Sequence, residues 1–137
     1  MIASRLKQQK HTLYLLIFLI PVGFLSKMVS TGYWSWIGDH LAGALYEIFW
    51  ILLVYLFFSD KVNILILPLT VFSITCLLEI TQLWHPPWLA IIRETYPGKI
   101  LIGTTFSWWD FPFYAIGSLG GWIWLRRCEK RLQQKIF

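Results

Sequence analysis

Residues 40–58 read HLAGALYEIFWILLVYLFF, an unbroken apolar run whose only charge is Glu47. A bilayer core is about 30 Å thick, and a helix needs about 20 residues to cross it. The run therefore predicts a membrane-spanning helix. Three further stretches share its character. They are 12–28, interrupted by Pro21; 62–84, with Glu79 near its end; and 110–125, which is short unless Ser107–Trp109 enter the interface. The sequence thus predicts an all-α integral membrane protein, a single domain over 1–137 with four transmembrane helices. The composition, 57% hydrophobic and 14% charged, agrees, since soluble domains carry about 25% charge.

Lys and Arg set the orientation. Arg5, Lys7 and Lys10 precede the first span, Lys61 lies in the tight link after the second, and Arg126, Arg127, Lys130, Arg131 and Lys135 follow the fourth. The positive-inside rule places both termini in the cytoplasm. A net charge of +5 gathered at the two ends reads as a topology signal, so nucleic acid is not a predicted partner. The first apolar run is read as a retained helix, because Phe24-Leu25-Ser26-Lys27 lacks the small-residue pattern of a cleaved signal. Residues 85–109 face outward. Within them Trp88-Leu89-Ala90-Ile91-Ile92 is too short to span and predicts an interfacial or re-entrant segment between helices three and four. Trp34, Trp36, Trp84, Trp88, Trp108 and Trp109 read as an outer aromatic belt, and Trp122 and Trp124 as an inner one.

Ionisable groups at membrane depth cost about 2.5–3.5 kcal/mol on insertion scales and usually face the bundle interior. Asp39, Gly43, Tyr46 and Glu47 fall on one face of the second helix at i, i+4, i+7, i+8. Thr75, Glu79 and Gln82 share a face of the third, and Asp110, Tyr114, Gly117 and Gly121 a face of the fourth. On this topology Asp39, Glu79, Gln82 and Asp110 all occupy the outer half of the bundle, with Lys27 and Arg93 as counter-charges. Each has a plainer reading. Asp39 and Asp110 suit helix starts, where an Asp caps free N–H groups. Glu79 with Gln82 suits an interhelical clamp, and Glu47 a hydrogen bond to a neighbouring helix. His85, before Pro86-Pro87, reads as a turn residue, and His40 is the weaker of the two histidine signals. Gly43, Gly117 and Gly121 are predicted helix-packing positions. Cys76 and Cys128 lie at different depths and are not expected to pair, and no spacing of Cys and His predicts a metal or cofactor.

The run Leu78-Glu79-Ile80-Thr81-Gln82-Leu83, then Pro87-Trp88, Arg93, Thr95, Gly98, Leu101, Gly103, Phe106, and finally Asp110, Tyr114 and Gly117 resembles a small bacterial membrane family. That family is catalogued as domain of unknown function 2809. Gly38-Asp39 upstream also fits, and the resemblance covers about Leu15 to Gly121. More distantly, four helices with Glu-x-x-Gln on the third are similar to the VanZ-like proteins, which are linked to glycopeptide-antibiotic tolerance and envelope functions. Those proteins have a further polar residue after the Asp of the last helix, where Phe111, Pro112 and Phe113 stand here. The resemblance implies a multi-pass protein of the bacterial inner membrane and assigns it no reaction.

Three functions fit these residues. In the first, Asp39, Glu79, Gln82 and Asp110, with Lys27 and Arg93 meeting an anionic group, bind or modulate a membrane lipid, a lipid-linked molecule or another amphiphile. In the second, the polar residues only cap and clamp the bundle. In the third, a carboxylate acts as general base on such a substrate and Arg93 stabilises developing charge. Any protein partner is left open.

Overall fold

A computed structural model describes residues 2–28, 32–101 and 106–136. Among these the chain is helical and contains no strand. Four long helices, α1 (Ile2–Met28), α2 (Ser35–Phe58), α3 (Ile66–Thr81) and α6 (Asp110–Ile136), form the bundle. Two short ones, α4 (Pro87–Glu94) and α5 (Tyr96–Leu101), lie in the connection between α3 and α6.

Polar contacts set the helix directions. Ser26 Oγ donates to the Gly38 carbonyl at 2.9 Å, Gln8 Nε2 donates to the Tyr55 hydroxyl at 2.9 Å, and Arg5 pairs with Asp60. As α1 advances its partners on α2 recede, so the two are antiparallel. Along α2 and α6 the contacts advance together. His40 meets Asp110, Gly43 meets Tyr114, Ala44 and Glu47 meet Gly117, and Ile51 meets Gly121. Those helices run parallel. Glu79 of α3 is level with Tyr114, whereas Thr75 is level with Glu47, so α3 opposes both. Gln8 of α1 lies beside Cys128 of α6, which puts Ile2 and Ile136 at the same end of an up-down-up-down bundle.

Three segments begin or end away from where the hydropathy places them, and the reasons are local. The sequence predicts a third span over 62–84, but α3 covers only Ile66–Thr81. The Asn63 side chain accepts the N–H groups of Leu65 and Ile66 and so starts the helix late. At the other end the backbone tightens into i→i+3 bonds from Gln82, Leu83 and Trp84 before Pro86-Pro87. The first and fourth spans, predicted at 12–28 and 110–125, instead extend to Ile2 and Ile136. Arg, Lys, Gln and Leu are strong helix formers, so helicity persists after hydrophobicity stops. The piece around Trp88–Ile92 is the helix α4, with Leu89 and Arg93 turned inward and Trp88 and Ile91 exposed.

Several polar side chains are buried and many large apolar ones are exposed. His40, Glu47, Thr75, Glu79 and Gln82 are buried, while Phe18, Phe57, Leu69, Leu77 and Ile116 are more than half exposed. By length and composition, α2 and the Arg5–Ser26 part of α1 are long and apolar enough to cross a membrane, and α3 is apolar but shorter. The interior has two zones. Leu16, Leu19, Ile51, Leu52, Tyr55, Leu67, Val71 and Leu125 form an apolar core in the half nearer Ile2 and Ile136. Apart from Thr12, the buried polar residues among those described collect in the other half.

The parallel pair α2 and α6 touches through glycine. A Cβ at Gly117 would lie 2.5 Å from the Ala44 carbonyl oxygen and 2.8 Å from Glu47 Cβ, and one at Gly121 would lie 2.9 Å from Ile51 Cδ1. Replacing Gly117 by Val should push α6 outward and lower stability by about 1–3 kcal/mol or more. Gly23→Ala in α1, where a Cβ would meet nothing within 4 Å, should instead be neutral or stabilising by up to about 1 kcal/mol. Thermal unfolding of the detergent-solubilised variants, read by size exclusion, tests the pair. Equal midpoints would contradict the close approach.

Candidate functional site

The inward face of α2 is His40, Ala44, Glu47, Ile51 and Tyr55, all buried, at i, i+4, i+7, i+11 and i+15. Asp39 is one residue out of step, about 100° around the helix, and its side chain is exposed. The sequence placed Asp39 in the site, and the structure puts His40 there instead. His40 Nδ1 is 2.9 Å from Asp110 Oδ1. The ring is stacked on Phe113 at 5.2 Å and meets the edge of Trp36 at 4.7 Å. With its proton on Nδ1 it donates to the Asp110 carboxylate.

Glu79 is the centre of the arrangement. It is 1% exposed, and a buried carboxylate must find donors to replace lost water. Its Oε1 accepts the Ser107 N–H at 2.9 Å. Its Oε2 accepts the Tyr114 hydroxyl at 3.1 Å and Gln82 Nε2 at 3.2 Å. Asp110 is the near neighbour of the same carboxyl. Asp110 opens α6 and its N–H donates to the Ser107 carbonyl at 3.2 Å, so the helix N-terminus favours its charge while its side chain turns to α2. Glu79, Gln82 and Asp110, all expected in the site, are brought together. His40, Tyr114 and the Ser107 backbone complete the cluster.

Arg93 does not act as the predicted counter-charge. Although it is buried, it faces the end of α3 and not the carboxylates. Its Nη1 donates to the Trp84 carbonyl at 2.8 Å and its Nη2 to the Thr81 carbonyl at 2.6 Å. The last carbonyls of a helix have no partner within it, and a cation there also suits the helix dipole. Four residues apart on α4, Leu89 and Arg93 form that helix's buried face, which is why the guanidinium lands under α3. The side chain of Lys27, the other expected counter-charge, lies outside the described residues.

Glu47 forms a separate, deeper contact, about 10 Å along α2 from His40. It is fully buried and its Oε1 accepts the Ser118 hydroxyl at 2.8 Å, joining α2 to α6. The Tyr114 ring packs on Gly43, between the levels of His40 and Glu47 on α2. Gly43, Gly117 and Gly121 all line the α2–α6 seam where the sequence put close packing. The i, i+7 spacing of His40 and Glu47 was the signal that could have found His40, had Glu47 rather than Asp39 anchored the helical face.

The cluster opens toward an aromatic rim. The Trp36 ring meets Trp109 at 5.4 Å and Phe113 at 6.0 Å, and both tryptophans are exposed. Among the described residues no three His, Cys, Asp or Glu side chains are placed to hold a metal ion. The chemistry on offer is that of two adjacent carboxyls, one imidazole and one phenol at the edge of an aromatic wall.

A family model described as "Protein of unknown function (DUF2809)" matches residues 33–118, and the chain belongs to that family. The matched region runs from the turn before α2 into the middle of α6 and contains the whole cluster together with Arg93. No solved structure matches the chain.

Removing the Glu79 carboxylate should leave its donors unpaired at about 1–3 kcal/mol each. Glu79→Ala is therefore expected to lose several degrees or more of midpoint, and Glu79→Gln, which keeps one acceptor oxygen, to lose less. Asp39→Asn should fall within about 0.5 kcal/mol of wild type. The same thermal assay decides, and an Asp39 variant as damaging as Glu79→Ala would overturn the inward face assigned to α2.

Proposed function

We propose that this is a multi-pass membrane protein in which α1, α2, α3 and the first half of α6 cross the bilayer. Both helix ends rich in Lys and Arg lie on the cytoplasmic side, and the cluster at the opposite end binds the polar headgroup of an amphiphile. The exposed apolar surface supports the crossing, because a belt of exposed Phe, Leu and Ile around a partly polar interior suits contact with lipid better than with water. α3 rises only about 24 Å, so its crossing is completed by the turns at either end.

The observation that carries the binding reading is the position of the His40–Asp110 pair. It lies at the rim of the cluster, with the Asp110 side chain 20% exposed, beneath the open wall of Trp36, Trp109 and Phe113. Because Arg93 is committed to the carbonyls of α3, the site presents acceptors. That favours a headgroup that donates hydrogen bonds or carries a cationic group, rather than the anionic group its basic residues first suggest. A second reading rests on Glu79, whose internal donors from three segments are what a purely structural clamp would have.

Native mass spectrometry with lipid analysis, on protein extracted gently from its own membrane, separates the two. The binding reading expects a specific bound amphiphile in wild type, absent from an Asp110→Asn variant of unchanged folded yield. If Asp110→Asn and Glu79→Gln both lower stability and leave the bound species unchanged, the cluster is a clamp and the binding reading fails.

A further inference from the structure

At the opposite end of the bundle, Leu6, Lys7, Lys10, His11 and Tyr14 line an open groove of about 520 Å³ on one side of α1. We infer that this groove binds the phosphate headgroup of an anionic lipid in the cytoplasmic leaflet. The inference rests on the membrane placement proposed above and is independent of the outer cluster.

The charges are available. Asp60 is paired with Arg5, and among the described residues Lys7 and Lys10 have no carboxylate partner. Lys7, Lys10, His11 and Tyr14 follow at i, i+3, i+4 and i+7, one stripe of a helix, with the two lysines about one turn apart in sequence. A phosphate between them meets donors on both sides.

The depth is right as well. The apolar run of α1 starts at Thr12, so Lys10 and Lys7 lie about 3 and 8 Å outside it along the axis. A headgroup layer is about 5–8 Å thick on each side of the hydrocarbon, which is where a lipid phosphate sits. Continuing along the same stripe, Tyr14 and Phe18 are 66% and 63% exposed. They offer an apolar track for the acyl chain just below the headgroup. Arg126, Arg127, Lys130 and Arg131 of α6 are exposed at the same end and raise the local anion concentration. The side chains of the α1 groove can be replaced without disturbing the core, since Lys7 and Lys10 are exposed.

The test uses the full chain in nanodiscs and native mass spectrometry, titrated with phosphatidylglycerol and, separately, phosphatidylcholine. Wild type is expected to retain the anionic lipid at least tenfold better. In a Lys7→Gln/Lys10→Gln variant that preference should fall to about threefold or less, and inorganic phosphate should not displace the lipid. An Arg127→Gln/Lys130→Gln variant on α6, which removes the same charge, should keep the preference. Equal loss in both variants would reduce the groove to a diffuse basic field, and absence of any headgroup preference would overturn it outright. Displacement by inorganic phosphate would make it a site for a free anion and overturn the lipid assignment. If the chain fails to insert into nanodiscs, the membrane placement and this site fall together; if it inserts without preference, the site alone fails.

Discussion

A carboxyl group enclosed among helices has to be answered by donors, and at Glu79 the answer comes from three separate pieces of chain. Tyr114 is on α6, Gln82 is one turn on at the end of α3, and the Ser107 N–H belongs to the segment leading into α6. The long connection between α3 and α6 is therefore tied down just before α6 begins. That tie sets where Asp110 stands, and Asp110 in turn reaches across to His40 on α2. The register of α6 against α2 then follows, and with it the glycine contacts further down the seam.

Parallel neighbours such as α2 and α6 need a connection long enough to return the chain to the starting end. α3 supplies the return, and its last carbonyls face the connection with capacity for a further donor. Arg93 closes that end from α4, using both terminal nitrogens of its guanidinium. Arg93 is thus part of how the site is built and not of what the site presents. The distinction alters the chemistry of the cluster: with the arginine turned away, it is rich in acceptors and flanked by aromatic faces.

The helical fold was largely legible from hydropathy, because an apolar run as long as residues 40–58 reads as a helix. Helix ends were less legible. They depend on side-chain caps such as Asn63 and on helix formers beyond the apolar run, neither of which changes hydropathy in the right direction. The site was legible where charge stood alone in an apolar run, as with Glu79, and where it opened a helix facing the bundle, as with Asp110. It was misread at residues 39 and 40, where an acid and a histidine are adjacent and a single step of 100° decides which one faces inward. Charge favoured Asp39, but burial selected His40, whose ring can pack on Phe113 and Trp36 while its nitrogen meets Asp110. The role of Arg93 could not be read from spacing, since it depends on the path of the chain around Pro86-Pro87.

The distribution of polarity along the bundle bears on what kind of site this is. Below the outer cluster comes Glu47 with Ser118, and below that Leu16, Ile51, Leu52 and Leu125 close the interior, three of them with no exposed surface. Among the described residues polar contacts resume at Thr12, Gln8 and Tyr55, near the basic end. A route for an ion or a polar solute would have to open this apolar layer, and the helices that form it are held together at Gly117 and Gly121 with no slack for a side chain. A cluster open at one end and sealed beneath suits a group that enters and leaves by the same side. On the proposed membrane placement an amphiphile would meet that condition, its headgroup reaching the rim while its chain stays in lipid against the exposed apolar faces of the helices.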